Sequence, residues 1–119
     1  AKINNRKKLV DVANNILDAS KAEKIKIIDI HHKTSVADYF VIATCRSTKH
    51  ASATADELIK KLKQIGITCS KPEGRPKCDW VIVDAGSVVI HLFRSEIREL
   101  YNLEKLWNMS IDPVEIKLA

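Results

Sequence analysis

The sequence predicts an α/β domain of the α+β type, in which a mixed sheet carries flanking helices. The chain has 119 residues, of which 45% are hydrophobic, and this is enough for one domain with its own core. Amphipathic segments of helical period alternate with short apolar runs of strand length. We predict the order α-β-β-α-β-β-β-α, a single domain over residues 1–110 and a C-terminal tail over 111–119.

Two amphipathic segments predict the main helices. In the first, apolar residues recur at helical spacing: Leu9, Val12, Ala13, Ile16 and Leu17. In the second, apolar residues step by 4, 3, 4 and 3 positions from Ala51 to Ile65. Ser47 suits the N-cap, and Gly66 is expected to end this helix in the left-handed conformation. A last helical stretch is expected from residue 96, with a final turn through residue 107.

Five short runs predict the strands, namely residues 24–30, 38–44, 67–71, 80–84 and 88–93. The second run is largely apolar, which favours a central place in the sheet. The last two are joined through Gly86 and predict a hairpin. His91 alternates with Ile90 and Leu92, so we expect it to face outward if those two face the core.

The sequence predicts no catalytic residues, no metal and no cofactor. No glycine-rich loop opens a helix, and there is no G-x-S-x-G motif. Asp29, Asp38 and Asp84 lie near strand ends, where converging carboxylates can bind Mg²⁺, but no D-x-D pair is present. Turn capping is the commoner role of such residues.

Histidines and cysteines also favour structural roles. Adjacent strand residues point to opposite faces, so His31 and His32 are expected to be exposed and not to share a metal unless the chain bends. His50 falls in the first turn of the second helix, where a surface position is expected. Three cysteines without paired spacing favour free thiols in a reducing compartment, the cytoplasm.

Charge and aromatic residues point toward binding. The net charge is +5, which suits an RNA-rich neighbourhood, although a solvated basic surface is the simpler explanation. No apolar run approaches the ~20 residues of a membrane span. Trp80, Tyr101 and Trp107, with Arg98, are residue types that anchor protein interfaces, and filling the core is their alternative role.

Three segments, in order and with matching spacing, resemble the ribosomal silencing factor (Iojap-like) family. They are residues 38–44 with Ser47 and His50, residues 80–93, and residues 98–107 with the pattern R-x-x-Y-x-L-E-x-L-W. The chain departs from the family pattern at Cys45, Ala85 and Ser87, all next to predicted strand ends.

The resemblance implies a nucleotidyltransferase-like fold without that fold's catalytic carboxylates. This agrees with the missing D-x-D pair, and the lack of catalytic motifs predicts that the protein is not an enzyme. The resemblance also implies binding to ribosomal protein L-fourteen on the large subunit, steric blocking of subunit joining and lower translation when nutrients are limiting. A homodimer off the ribosome and a peripheral contact to ribosomal RNA are further expectations. Neither a membrane nor a small-molecule substrate is expected. A role in large-subunit assembly stays open, as does, less favoured, a metal-dependent nucleotidyltransferase-like enzyme.

The signature positions divide into two groups. Those expected at the partner surface or in its immediate support are Trp80, His91, Arg94, Arg98, Tyr101 and Trp107. Those expected to shape the fold are Asp38, Tyr39, Asp84, Gly86, Phe93 and Leu106.

Overall fold

Three helices and four strands form the described part of the chain. The structure is a computed structural model that describes residues 2–32, 35, 37–74 and 79–101, with side chains from residue 8 to residue 99. In chain order the elements are α1 (Lys2–Ala19), β1 (Glu23–Asp29), β2 (Tyr39–Cys45), α2 (Thr48–Gln64), β3 (Trp80–Asp84), β4 (Val88–Arg94) and α3 (Ser95–Tyr101). The predicted α/β class with a mixed sheet is confirmed.

The four strands form one sheet in the order β1-β2-β4-β3. The two outer pairs are antiparallel, while β2 and β4 run parallel at the centre. A parallel pair needs a crossover connection, and α2 lies within it. The predicted central position of the second strand and the predicted 80–93 hairpin are both confirmed.

The strand predicted at residues 67–71 is wrong. This segment follows the edge of β3, but Ser70 N–H donates to the Asp84 carbonyl and the next pairing is an isolated bridge between Glu73 and Ile82. From Ser70 to Glu73 the segment advances by three residues, whereas β3 advances by only two from Asp84 to Ile82. This mismatch in register interrupts a regular ladder. Pro72 lies between Ser70 and Glu73 and has no N–H to donate. The observed order is α-β-β-α-β-β-α.

One face of the sheet is covered by α1 and α2. Leu17 of α1 and Leu58 and Leu62 of α2 are fully buried in the cluster that also holds Val41 and Ile90 of the central strands. Burying a leucine stabilises a fold by about 1.5–3 kcal/mol. The predicted apolar stripes are the buried sides of the two helices, except at Ile65, which follows the end of α2 and is 55% exposed.

Both predicted ends of α2 are confirmed. Ser47 has extended backbone angles, and its Oγ accepts a hydrogen bond from His50 N–H at 3.0 Å. At the other end Gly66 has φ +87°. His50 is more engaged than expected for a surface residue: its Nδ1 accepts from Arg46 N–H, so its Nε2–H donates to the Ser20 carbonyl. The ring therefore links the turn after α1 to the start of α2.

None of the described helices is both long enough and apolar enough to cross a bilayer.

Candidate functional site: the second face of the sheet

The sheet face opposite α1 and α2, called the second face below, carries the aromatic signature residues. Alternate residues of each strand point to it. Its side chains are Ile28, Phe40, Ile42, Trp80, Ile82, Val89, His91 and Phe93, and Ile97 of α3 packs against them. Trp80 and Ile82 of the edge strand β3 are only half-buried, so the second face is accessible on that side.

His91 does not face solvent, contrary to the prediction. Its neighbours Ile90 and Leu92 do face the helix-covered core, but His91 is only 5% exposed on the second face. The face to which His91 points was predicted correctly and its burial was not, because β4 is a central strand whose side chains are buried on both faces. Phe40 and Trp80 pack against the His91 ring. His91 therefore lies beneath the surface, as a support for its neighbours.

Trp80 is held in place by His91 and Phe93. The indole Nε1–H donates to His91 Nδ1 at 3.0 Å. The Trp80 ring also stacks on Phe93 with 5.0 Å between centroids and 27° between planes. These two residues are directly paired across β3 and β4, so the strand register sets the stack. The indole is therefore fixed while part of it stays exposed.

The Trp80 hydrogen bond determines the protonation of His91. An indole N–H can only donate, so Nδ1 must be the accepting nitrogen and the proton of the neutral ring lies on Nε2. Nε2 is buried and has no hydrogen-bond partner among the described residues. Burial lowers the pKa of His91 to about 3, so the ring is neutral at physiological pH.

Arg94 is fixed at the C-terminal end of β4. Its Nε donates to Asp79 Oδ1 at 2.7 Å, and its backbone N–H donates to the Asp79 carbonyl. Nη1 lies 3.5 Å from Glu96 Oε2, and about a third of the Arg94 side chain is exposed. The acidic partner Asp79 was not predicted. The hairpin register that pairs Trp80 with Phe93 places Asp79 opposite Arg94 and could have suggested it.

Arg98 holds α3 against the sheet. Its Nη1 donates to the Lys24 carbonyl at 2.6 Å and to Thr44 Oγ1 at 2.8 Å. Lys24 has φ +50° in a bulge of β1, where the register shifts between Glu23 and Lys26. Neither contact could be found from sequence, because a backbone carbonyl gives no residue-type signal and Thr44 lies 54 residues away in the chain. Arg98 thus has a demonstrable structural role, whatever it contacts outside the chain.

Four of the residues expected to shape the fold lie at the opposite end of the sheet, namely Asp38, Tyr39, Asp84 and Gly86. Asp84 Oδ1 accepts from Gly86 N–H at 2.8 Å, and Gly86 has φ +88°, as the hairpin prediction requires. Asp38 N–H and Tyr39 N–H both donate to the Ser87 carbonyl, which joins β2 to this turn. Phe93 is 1% exposed on the second face. The side chain of Tyr101, together with Leu106 and Trp107, lies outside the described residues.

Among the described side chains, a histidine–carboxylate cluster and two cysteines could bind a metal or react as nucleophiles. Within the described ranges, the one cluster of three metal-ligating side chains is formed by Asp29, His31 and His32, all exposed as predicted for the histidines. The His31 hydrogen bond holds the pKa of Asp29 below its usual value. Burial raises the pKa of the Cys45 and Cys69 thiols, which disfavours thiolate chemistry at either residue.

Solved structures define the class to which this fold belongs. A crystal structure of a Chromobacterium violaceum protein superposes with a TM-score of 0.83 at 31% identity, covering 86% of this chain and 85% of that one. A Bacillus halodurans crystal structure gives 0.77 at 37% identity, covering 85% and 94%. The chain therefore shares the fold of a class of small bacterial α/β proteins.

Sequence comparison identifies the family. The family model described as "Ribosomal silencing factor during starvation" matches residues 3–118. The ribosomal silencing factor of Zymomonas mobilis is 43% identical over 83% of this chain and 74% of its own length. That of Bacillus subtilis is 40% identical, with 87% of each covered. This chain belongs to the ribosomal silencing factor family.

A mouse protein with a mitochondrial name is also similar to this chain. This protein, named "Mitochondrial assembly of ribosomal large subunit protein 1", is 38% identical over 84% of this chain, which matches 45% of the mouse protein.

Proposed function

We propose that this protein binds ribosomal protein L-fourteen on the large ribosomal subunit and sterically blocks joining with the small subunit, repressing translation when nutrients are limiting. Membership of the ribosomal silencing factor family over residues 3–118 carries this proposal. The names of the bacterial and mouse relatives both refer to the ribosome, and one of them to its large subunit. We place the protein in the cytoplasm, where bacterial ribosomes are.

The second face supplies a surface suited to such a contact. Trp80 combines a half-exposed indole with a position fixed by His91 and Phe93. A rigid aromatic side chain loses little conformational freedom on binding, which is why tryptophan is common among interface anchors. Arg94, similarly fixed by Asp79, lies at the C-terminal end of the neighbouring strand. We propose Trp80 and Arg94 as contacts, His91 as support, and Arg98, Tyr101 and Trp107 as the remaining members of the surface.

The protein acts by occupying a surface and not by catalysis. A nucleotidyltransferase-like mechanism needs converging carboxylates for Mg²⁺. The Asp84 carboxylate instead accepts a hydrogen bond from Gly86 N–H in the hairpin turn, and the Asp29 carboxylate is hydrogen-bonded to His31. Metal-dependent nucleotide binding that is lost in an Asp84→Asn variant would support the enzymatic alternative.

Two further contacts belong to the proposal. A groove lined by Lys24, Lys26 and Arg98, with Glu99 at its side, is where a peripheral contact to ribosomal RNA would fall. A homodimer is proposed off the ribosome. Crosslinking with and without large subunits tests whether the dimer surface overlaps the ribosomal one: an overlap predicts that adding large subunits removes the crosslinked dimer.

The test uses purified large and small subunits. Wild-type protein should co-sediment with the large subunit and reduce 70S formation, measured by light scattering after mixing. Crosslinking should join it to L-fourteen. The proposal is refuted if saturating protein leaves 70S formation unchanged.

Variants locate the contact on the second face. Trp80→Ala removes the indole, and an anchor of this kind contributes about 2 kcal/mol or more, so affinity should fall about 30-fold or more. Trp80→Phe keeps an aromatic ring stacked on Phe93. Its affinity therefore measures the contribution of the indole with less disturbance of the fold. Lys60→Ala, exposed on α2, is the matched control and should bind as wild type does. Equal affinity of Trp80→Ala and wild type would exclude Trp80 as an anchor.

A role in large-subunit assembly is the second candidate, favoured by the name of the mouse relative. Both roles use a large-subunit contact, so binding assays do not separate them. Ribosome profiles of a deletion strain do: an assembly role predicts large-subunit precursors during growth, whereas silencing predicts excess 70S ribosomes in starvation.

A further inference from the structure

Three side chains with metal-ligating atoms come together where β1 ends. Asp29 is the last residue of the strand, and His31 and His32 form the turn that follows. Ile30 between them is fully buried, and its N–H donates to the Asp38 carbonyl at 2.9 Å. This hydrogen bond continues the β1–β2 pairing by one residue, and the chain turns directly after it at His31 and His32. The alternation that would send His31 and His32 to opposite faces therefore no longer applies.

The distances within this cluster are close to those of a coordination sphere. His31 Nδ1 lies 2.5 Å from Asp29 Oδ1, and the two imidazole centroids are 3.6 Å apart. One ligand atom from each residue can be chosen so that all three lie within 4.8 Å of one another. Ligands about 2.1 Å from a tetrahedral ion are about 3.4 Å apart. Shifts of about 1 Å in exposed side chains would bring the three atoms to that spacing.

We propose that Asp29, His31 and His32 form a binding site for a divalent transition-metal ion such as Zn²⁺. Two imidazoles and one carboxylate suit Zn²⁺, Ni²⁺ and Cu²⁺, whereas Mg²⁺ and Ca²⁺ favour oxygen ligands alone. All three side chains are exposed, so the ion keeps at least one position open for water.

The proposed metal site is separate from the proposed ribosomal contact. Asp29 pairs with Tyr39 at the start of β2, while Arg94 pairs with Cys45 at the end of the same strand. The two sites thus lie at opposite ends of the sheet. Metal binding can be tested, and can fail, without bearing on the ribosomal proposal.

Calorimetric titration of the full chain with ZnCl₂ at pH 7.5, in a buffer that does not bind metals, tests the site. One ion per chain is expected. His31→Gln, His32→Gln and Asp29→Asn should each weaken binding at least 10-fold. Co²⁺ should give visible absorption bands of a low-coordinate site in the wild type and not in the His31→Gln/His32→Gln double variant.

Cysteine thiols are the competing ligands, so a Cys69→Ser/Cys78→Ser variant is the matched control. It should keep wild-type affinity for Zn²⁺. Circular dichroism establishes that each variant is folded. Absence of binding at millimolar Zn²⁺, unchanged affinity in the double histidine variant, or loss of binding in the cysteine variant would each overturn the proposal.

Discussion

Acidification should destabilise this protein through His91. In the folded state the ring is buried beneath Trp80, and burial lowers its pKa to about 3. In the unfolded chain the pKa of a histidine is about 6.5. Between these values the unfolded state binds a proton that the folded state does not. Stability contributed by neutral His91 is therefore present above pH 6.5 and is lost as the pH falls toward 3.

The size of the effect follows from the two pKa values. One proton bound only by the unfolded state changes the free energy of unfolding by about 1.4 kcal/mol per pH unit. Between pH 7 and pH 5 the His91 contribution is therefore about 2 kcal/mol. His91 is nearly fully buried, so solvent does not screen this cost.

Urea unfolding at pH 7 and pH 5 measures the effect when wild type is compared with His91→Gln. Glutamine does not titrate, and its side-chain oxygen can still accept from the Trp80 indole. Other histidines and carboxylates titrate in both proteins and cancel in the comparison. Wild type should lose about 2 kcal/mol more than the variant on acidification. If both lose the same amount, His91 is not the buried neutral group described above.

Three other pairs of substitutions test the fold. Leu58→Ala should destabilise by about 2–5 kcal/mol, because the leucine is fully buried, whereas Ile65→Ala at a 55% exposed position should cost under about 1 kcal/mol; chemical denaturation measures both. Gly74→Ala should lower the melting temperature more than Gly66→Ala, because a Cβ at Gly74 would overlap a backbone carbonyl of β3 while Gly66 has open space, and equal losses would contradict this. Ser47→Ala should cost about 1 kcal/mol by removing the α2 cap, and Ser47→Asp should restore most of it in the same thermal unfolding assay.

Local signals in the sequence were enough to predict most of the helices and strands. The stripe of α2, its Ser47 cap and its Gly66 end were predicted because they depend on neighbours within a few residues. The strand predicted at residues 67–71 was wrong. Apolar alternation does not show whether the hydrogen-bonding positions of a segment match those of its neighbour, and between Ser70 and Glu73 they do not.

The candidate site was predicted less completely than the fold. Sequence signatures selected Trp80, Arg94 and Arg98 but did not separate contact from support. Arg98 donates to the Lys24 carbonyl, 74 residues away in the chain, and such a contact has no local signature. The cluster of Asp29, His31 and His32 was also missed, because bringing His32 to the other two depends on the turn that follows β1.

The sequence by itself determined the family, the α/β class, the two main helices and the central strand. These follow from ordered motifs and from periodicity, both of which are short-range properties of a chain. Only the tertiary structure decided that His91 is buried, neutral and bonded to Trp80. Alternation along β4 assigns His91 to a face, but what covers that face depends on strand order and on elements distant in sequence.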